Sequence, residues 1–262
     1  MAVVDAIMAV IPRPVPTAQA LRDCRIISHR GEFDNTSVME NTLEAFQVAR
    51  HHGVWGIECD IRWTADDVPV ICHDGDAARV FGQALTLSEC SFEVLRASVP
   101  MIPSLEELVA EFGGTTHLML EIKAEAEPLS QDRCEILAGV LAPLQAGSDY
   151  HFLALDADLF APLAFVAPKY CLPVAETNVG KLSRSALERD LGGITGHFLL
   201  LGKGLKNRHE GAGQRVGTGF IASRNCLFRE LNRGIRWIFS NDAVRIQKIR
   251  DDYLAASESS ML

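Results

Sequence analysis

The sequence lacks several features that would place it outside the soluble globular class. None of its seven cysteines belongs to a C-x-x-C pair, so the pattern favours buried thiols in a reducing compartment over a disulfide framework. No apolar run approaches the roughly 20 residues that a membrane-spanning helix needs. Residues 1–20 have no basic leader and contain three prolines, so we expect no secretory signal and predict a cytoplasmic location.

Positive charge is also scarce. Lys and Arg number 25 against 34 Asp and Glu, which gives a formal net charge of −9 and a sequence pI of about 5.4. This balance repels nucleic acids and anionic membranes, so we expect a small-molecule partner, no nucleic acid and no stable membrane insertion. A metal ion and a few local cations can still hold a small phosphate ester in an acidic protein. The oligomeric state is left open.

Short β-rich apolar runs alternate with helical patterns along almost the whole chain. At 262 residues and 48% hydrophobic content, the chain is long enough to form one large barrel with a sizeable core. The alternation predicts parallel strands joined by crossover helices, which a closed barrel and an open doubly wound sheet both satisfy. The candidate strands are Arg25–Ser28, Gly56–Asp60, Val68–Cys72, His117–Lys123, Phe152–Asp156, Leu172–Ala175, His197–Leu201, Val216–Ala222 and Trp237–Ser240.

The helices between these strands carry readable start and stop signals. Ser104 and Glu107 form a capping box ahead of an apolar face with helical spacing. Asn41 is predicted to begin another helix. The segment Gly202–Gly213, which is rich in glycine and basic residues, is predicted to be a solvated surface loop, and Ser257–Leu262 a frayed tail.

Four short stretches place ionisable residues at the carboxyl ends of predicted strands, where α/β folds build active sites. Side chains alternate along a strand, so Glu58 and Asp60 share one face, and a hard divalent cation would relieve their repulsion. A two-residue turn at Asp66-Asp67 would set His73 opposite Asp60. The stretches contain these ionisable residues: His29, Arg30, Glu58, Asp60, His73, Asp74, Glu121 and Lys123.

This set of side chains fits one kind of chemistry. Phosphodiester cleavage needs a metal and cations for the phosphate oxygens, together with two groups that exchange protons with the nucleophile and the leaving group. The sequence supplies three acidic oxygen donors, two imidazoles, one guanidinium and one ammonium group. Some of these side chains also have a purely structural interpretation. Lys123 can simply pair with Glu121. Glu40, which precedes a predicted helix, can interact favourably with the dipole of that helix.

Six motifs in the first half of the chain, taken in order, resemble the motif set of the glycerophosphodiester phosphodiesterase family. They are His29-Arg30-Gly31, Glu40-Asn41-Thr42, Glu58-x-Asp60, His73-Asp74, Ile102-Pro103-Ser104-Leu105-Glu106-Glu107 and Glu121-Ile122-Lys123. The segment Gly234–Asp242 is similar to the last barrel strand of that family. The resemblance implies an α/β fold with one (β/α)8 TIM barrel over residues 1–262 (core about 20–250). It also makes Val68–Cys72 a short hairpin extension after strand 2.

The resemblance further implies metal-dependent hydrolysis of glycerophosphodiesters to glycerol 3-phosphate and an alcohol. Glu58, Asp60 and Glu121 would bind one divalent metal ion, Ca²⁺ or Mg²⁺. His29 and His73 would form the general acid/base pair. The substrate-binding candidates are Arg30 and Lys123 at the phosphate, Glu40 at the metal or the substrate hydroxyls, and Phe220 at the pocket wall.

The chain departs from the family pattern in three places, two of them in its second half. Gly217-Thr218-Gly219-Phe220 replaces a Trp-Thr-Val-Asn stretch, and Ala154-Leu155-Asp156 replaces Ser-Phe-Asp, while Met39 replaces a proline. These changes leave the alcohol group of the substrate open. Two alternatives also stay open: a lyase-like phospholipase related to sphingomyelinase D, and a non-catalytic barrel that binds metal and phosphate ligands.

Overall fold

A closed barrel of eight parallel strands forms the centre of the computed structural model, which describes residues 7–126 and 128–259. The first strand, β1, pairs with the second, β2, and with the last, β9, and these two pairings close the barrel. The short strand β3 pairs antiparallel with β2 outside the barrel. The strands are β1 Arg25–His29, β2 Gly56–Trp63, β3 Pro69–Ile71, β4 His117–Ile122, β5 Tyr150–Ala154, β6 Cys171–Ala175, β7 Gly193–His197, β8 Arg215–Gly219 and β9 Trp237–Ser240.

Helices cover the outside of the barrel. They are α1 Ala18–Arg22, α2 Leu43–His51, α3 Ala78–Phe81, α4 Phe92–Ser98, α5 Leu105–Phe112, α6 Gln131–Leu141, α7 Val179–Glu188, α8 Lys203–Gly211, α9 Arg224–Asn232 and α10 Ala243–Ser259. Residues 155–170, between β5 and β6, contain two 3₁₀ turns in place of an α-helix. The predicted barrel is confirmed, and so is the hairpin extension formed by β2 and β3.

The predicted register of this hairpin is wrong by one residue. Ile61 pairs with Ile71, and the Cys72 N–H donates to the Asp60 carbonyl at 2.9 Å, so Cys72 rather than His73 stands opposite Asp60. The loop is one residue longer than expected, because the Thr64 N–H donates to the Val68 carbonyl across three residues. Its last residue, Asp67, has φ 57°, the left-handed conformation that closes three-residue hairpin loops.

The predicted strand His197–Leu201 is also wrong, because β7 ends at His197. The apolar residues after it form a turn in which the Leu200 N–H donates to the His197 carbonyl at 2.9 Å. The true strand contains two glycines, which are depleted in strands and hide its signal. Gly193 is needed there, because a Cβ would lie 1.9 Å from the Arg215 carbonyl oxygen.

The segment Gly202–Gly213 is not a loop but contains helix α8, and part of its basic side is buried. His209 is fully buried, with Nε2 2.8 Å from Ser183 Oγ and Nδ1 2.6 Å from Gln214 Oε1. Lys206 Nζ donates to Glu210 Oε2 at 2.5 Å. The solvated-loop prediction failed because the buried His209 connects this helix to Ser183 of α7 and to Gln214 through polar contacts that local sequence patterns do not reveal.

Helix boundaries followed the predicted signals in part. The capping box of Ser104 and Glu107 is present at the start of α5. Helix α2, however, is capped by Thr42, whose Oγ1 accepts from the Ala45 N–H at 3.2 Å, and not by Asn41. Helix α10 continues to Ser259, so the predicted frayed tail is wrong up to that residue, and residues 260–262 lie outside the described part.

The amino-terminal end of the barrel is closed by aromatic rings that include a pair of buried histidines. His117 stacks on Trp55 with ring centroids 4.3 Å apart, and His151 meets Trp237 edge-on at 5.0 Å. His117 Nδ1 lies 2.8 Å from the Ser148 carbonyl, so this nitrogen must donate a proton. His117 Nε2 then accepts from His151 Nδ1 at 2.8 Å. A proton added to either ring would place a charge within this buried aromatic cluster.

This histidine pair makes barrel stability depend on pH. Burial lowers the pKa of His117 to about 4 and that of His151 to about 3. An unfolded histidine binds its proton near pH 6.5, so stability is full above that pH and falls as pH drops toward 4. Between pH 7.5 and 5.0, His151 alone contributes a loss of about 2 kcal/mol. The free energy of unfolding, measured in urea at pH 7.5 and at pH 5.0, should therefore fall by about 2 kcal/mol less in His151→Gln than in the wild type.

The exposed His51 provides the control for this measurement, and His51→Gln is expected to follow the wild-type pH dependence. An equal loss of stability between pH 7.5 and 5.0 in the wild type and His151→Gln would contradict the assignment.

Candidate active site

The acidic residues lie on two neighbouring strands at the carboxyl end of the barrel. Asp60 of β2 pairs with Glu121 of β4, and Glu58 of β2 pairs with His29 of β1. Glu58 and Asp60 are two residues apart and point into the barrel, while Cys59 between them joins the core between the barrel and its helices. Strand periodicity therefore brings residues from three strands to one place, as the sequence predicted.

The carboxylates of Glu58, Asp60 and Glu121 form one cluster. Each offers an oxygen, and these atoms all lie within 4.8 Å of one another, with all three residues buried. Burial raises the pKa of Glu58 well above its usual value, and the charges of Asp60 and Glu121 raise it further. Glu58 Oε1 is buried without a hydrogen-bond partner among the described residues. Such a set of oxygens fits a hard divalent cation.

Two basic side chains partly neutralise this cluster. Lys123 Nζ lies 2.9 Å from Asp60 Oδ1 and 2.5 Å from Glu121 Oε1, and Arg30 Nε lies 3.3 Å from Asp60 Oδ2. Burial alone would raise the pKa of Asp60, but Lys123 and Arg30 lower it below its usual value. If all three acids ionise, they still exceed these two cations by one charge, so the cluster can accept a further cation.

Asn41 also holds Asp60, a contact that sequence reasoning missed. Its Nδ2 donates to Asp60 Oδ2 at 2.8 Å, and its own N–H donates to the Arg30 carbonyl at 3.0 Å. Asn41 has φ 58°, a left-handed conformation that asparagine adopts more readily than most residues. The sequence signal for this contact was its place in the Glu40-Asn41-Thr42 motif, directly after a predicted site residue.

In each of the two predicted catalytic histidines, a neighbouring side-chain oxygen holds the Nδ1 atom of the ring. His29 Nδ1 lies 2.6 Å from Asn241 Oδ1, and His73 Nδ1 lies 2.7 Å from Asp74 Oδ1. Burial lowers the pKa of His29 to about 4. Burial also lowers the pKa of His73, although the nearby Asp60 and Asp74 oppose this shift.

Both imidazoles lie close to the acid cluster. His29 Nε2 is 3.8 Å from Glu58 Oε2, and the charges of Asp60 and Lys123 influence the pKa of each histidine. In each ring Nδ1 is held by a neighbour, which leaves Nε2 for a ligand. Asn241 directly follows β9 and could have been found with the same strand-end rule that identified the other residues.

Glu40 lies outside the carboxylate cluster, between two arginines. Its Oε1 accepts from Arg30 Nη1 at 3.0 Å and from Arg79 Nη2 at 2.7 Å, while Oε2 accepts from Asn35 at 2.8 Å. Burial opposes ionisation, but these hydrogen bonds and the charge of Arg30 lower the pKa of Glu40 to about 2. The structure thus places Glu40 against Arg30, and its predicted contact with metal or substrate stays a prediction.

Phe220 stands at the mouth of the barrel, directly after β8. The residue is 42% exposed, and its ring lies 6.0 Å from the ring of His29 and 5.5 Å from that of His197, a residue that sequence reasoning missed. Its φ of 65° is rare for a bulky residue and costs free energy, and such strain clusters at functional sites. The predicted place of Phe220 beside the site is compatible with this geometry.

Residues 29–152, which contain all nine predicted site residues except Phe220, match the model of the glycerophosphoryl diester phosphodiesterase family. This segment, a little under half of the chain, is similar to that family.

Curated relatives match a similar part of the chain. Human glycerophosphodiester phosphodiesterase 1 is 33% identical over a region that covers 37% of this chain and 35% of the human protein. The protein of the same name from Bos taurus is 32% identical over the same shares. The chain thus matches about a third of the length of these relatives.

Solved structures show the fold over a much longer part of the chain. A glycerophosphodiester phosphodiesterase from Thermotoga maritima has a TM-score of 0.71 at 16% identity and covers 86% of this chain and 98% of its own. A phosphodiesterase from Oleispira antarctica, solved with the product sn-glycerol-3-phosphate, has a TM-score of 0.73 at 20% identity and covers 87% and 96%. At these identities the likeness establishes the barrel alone. Across residues 7–126 and 128–259, no helix is long and apolar enough to cross a bilayer.

The carboxylate cluster predicts that divalent cations stabilise the folded protein. A ligand that binds only the folded state at 100 times its Kd adds about 2.7 kcal/mol, which corresponds to roughly 5 °C or more in Tm for a chain of this size. We expect Ca²⁺ or Mg²⁺ to raise the Tm above its value in EDTA. Glu58→Gln should remove most of this shift, because it replaces a charged ligand.

Glu111→Gln serves as the control, because Glu111 pairs with Arg50 on the surface of the molecule. This variant should keep the full metal-dependent shift. The same shift in Glu58→Gln and in the wild type would mean that the cation binds elsewhere.

Proposed function

We propose that this protein is a metal-dependent phosphodiesterase that hydrolyses glycerophosphodiesters to glycerol 3-phosphate and an alcohol. The observation that carries the proposal is the convergence of three buried carboxylates and two imidazoles at the same end of the barrel. The match of residues 29–152 to the glycerophosphoryl diester phosphodiesterase family supports it. The sn-glycerol-3-phosphate bound to the Oleispira antarctica phosphodiesterase indicates the kind of product.

Glu58, Asp60 and Glu121 would hold the metal ion, for which we propose Ca²⁺ or Mg²⁺ because all three ligands are carboxylates. When bound, the ion supplies positive charge that stabilises the phosphate in the transition state. Arg30 and Lys123 lie against the same carboxylates and would contact the non-bridging oxygens of the phosphate. For this they exchange part of their present pairing with Asp60 for the substrate.

His29 and His73 would transfer the protons. The partners at Nδ1, Asn241 and Asp74, fix each ring and leave Nε2 as the nitrogen that reacts. One imidazole takes a proton from the nucleophile, which is water or a neighbouring substrate hydroxyl, and the other gives a proton to the oxygen of the leaving alcohol. Both rings lie where burial favours the neutral form, which suits the one that acts as base.

The alcohol group would lie near Phe220, whose exposed ring is close to His29. On β8 the inward position Gly219 carries no side chain, and a Cβ there would find its nearest neighbour only at 3.7 Å. Gly219 therefore adds no side chain to the wall on this side, where the rings of Phe220 and His197 lie close together. We further propose that residues 1–262 work as one barrel in a reducing, cytoplasmic setting, where the seven buried cysteines keep free thiols.

Removal of either histidine tests the proposed chemistry. His29→Ala and His73→Ala are each expected to lower kcat by about 10²-fold or more, the usual loss when a general acid or base is removed. The assay measures alcohol release from glycerophosphocholine, glycerophosphoethanolamine and glycerophosphoinositol with Ca²⁺, Mg²⁺ or Mn²⁺. EDTA should abolish turnover, and the exposed His51→Ala should retain it.

Near-normal turnover in His29→Ala would contradict the mechanism. A cyclic phosphate as the final product would point instead to the lyase-like phospholipase alternative. Metal-dependent stabilisation without turnover of any diester would point to a non-catalytic barrel.

A further inference from the structure

Arg79 belongs to none of the six sequence motifs, yet its guanidinium lies next to the site. It comes from α3, in the segment that connects β3 to α5. Arg79 Nε donates to Asp74 Oδ2 at 2.5 Å. Its two terminal nitrogens donate to Glu40, with Nη2 2.7 Å from Oε1 and Nη1 3.2 Å from Oε2. One planar group therefore joins carboxylates from two separate loops.

Each of these carboxylates continues to a side chain with a proposed role. Asp74 Oδ1 lies 2.7 Å from His73 Nδ1, and Glu40 Oε1 accepts from Arg30 Nη1 at 3.0 Å. A continuous series of hydrogen bonds thus runs from the imidazole of His73 through Arg79 to the guanidinium of Arg30.

His73 has few other supports. It lies in a bend between β3 and α3, and the next residue but one, Gly75, has open space around it. The His73 carbonyl accepts from Arg62 Nε and Nη2, both at 3.0 Å, which fixes the peptide but not the ring. Holding a ring in one orientation in such a loop costs side-chain entropy, so the ring needs a hydrogen-bond partner that is itself held in place. Asp74 can orient the His73 ring only if its own carboxylate is fixed.

We propose that Arg79 is a positioning residue for the reaction. It fixes Asp74, and Asp74 then holds the His73 ring with Nε2 toward the reacting phosphate. Through Glu40, it also keeps the His73 loop at a set distance from Arg30. This inference rests on the proposed function. Lysine cannot replace Arg79 fully, because a single ammonium lacks the planar fork that bonds two carboxylates at fixed angles.

The surrounding fold does not depend on Arg79. The segment that carries it packs around its own buried apolar residues: Val70, Cys72, Ala77, Leu87, Cys90, Leu95, Val99 and Ile102. The Arg79 side chain is 47% exposed, and exposed ion pairs typically add only about 0–1 kcal/mol to stability. Without Arg79, the buried Glu40 keeps Arg30 and Asn35 as partners. Loss of Arg79 should therefore change the reaction much more than the Tm.

Steady-state kinetics on the metal-loaded enzyme with glycerophosphocholine test the proposal. Arg79→Gln is expected to lower kcat by about ten-fold, because small errors in the position of a catalytic group are costly, with KM within about two-fold. Arg79→Lys should recover only part of this loss. Arg50→Gln is the matched control, since Arg50 makes a similar pair with Glu111 away from the site, and it should leave kcat unchanged.

A double-mutant cycle separates positioning from a general structural effect. Asp74→Asn should itself lower kcat, and adding Arg79→Gln to it should cost less than about two-fold more, because both act through His73. A full ten-fold further loss in the double variant, or wild-type kcat in Arg79→Gln, would overturn the role of Arg79 and leave the proposed function intact. Absence of turnover in the wild-type enzyme would overturn both.

Discussion

Mutual repulsion among three buried carboxylates is the constraint on which the rest of the site depends. Strand pairing, rather than a flexible loop, brings together Glu58, Asp60 and Glu121. The three carboxylates therefore cannot move apart. Buried like charges are strongly unfavourable unless opposite charge lies close to them. Lys123 and Arg30 supply part of that charge, while burial and the charges of Asp60 and Glu121 still raise the pKa of Glu58. A divalent cation would complete it.

The two ends of the barrel handle buried polar groups in opposite ways. At the amino-terminal end, His117 and His151 are hydrogen-bonded to each other and enclosed by Trp55 and Trp237, an arrangement that favours neutral rings and a closed end. At the carboxyl end, charged groups contact one another and the mouth is open beside Phe220. The barrel therefore combines a closed base for stability with an open end for chemistry, as barrels of this kind generally do.

The parts of the structure that follow from local periodicity could be predicted from the sequence. Alternation along β2 placed Glu58 and Asp60 on one face, and the strand-end rule placed His29 and Glu121 beside them. The hairpin register could not be predicted, because nothing in Asp66-Asp67 reveals that Asp67 alone adopts a left-handed conformation. Strand β7 was displaced because its glycines hide the β signal.

Partners that are distant along the chain were beyond local reasoning. Asn41 reaches Asp60 across 19 residues, Arg79 reaches Glu40 across 39, and Asn241 reaches His29 across 212. Each of these contacts depends on how the closed barrel brings strand ends and loops together. The ionisable side chains were recognisable as chemistry, whereas the groups that orient them became visible only in three dimensions.

The position of a bound cation is the most direct test of this site, and anomalous diffraction from crystals soaked in Mn²⁺ would measure it. One strong anomalous peak is expected, with carboxylate oxygens of Glu58, Asp60 and Glu121 as its protein ligands. A peak bound by other residues, or no peak between these three carboxylates at saturating Mn²⁺, would contradict the account.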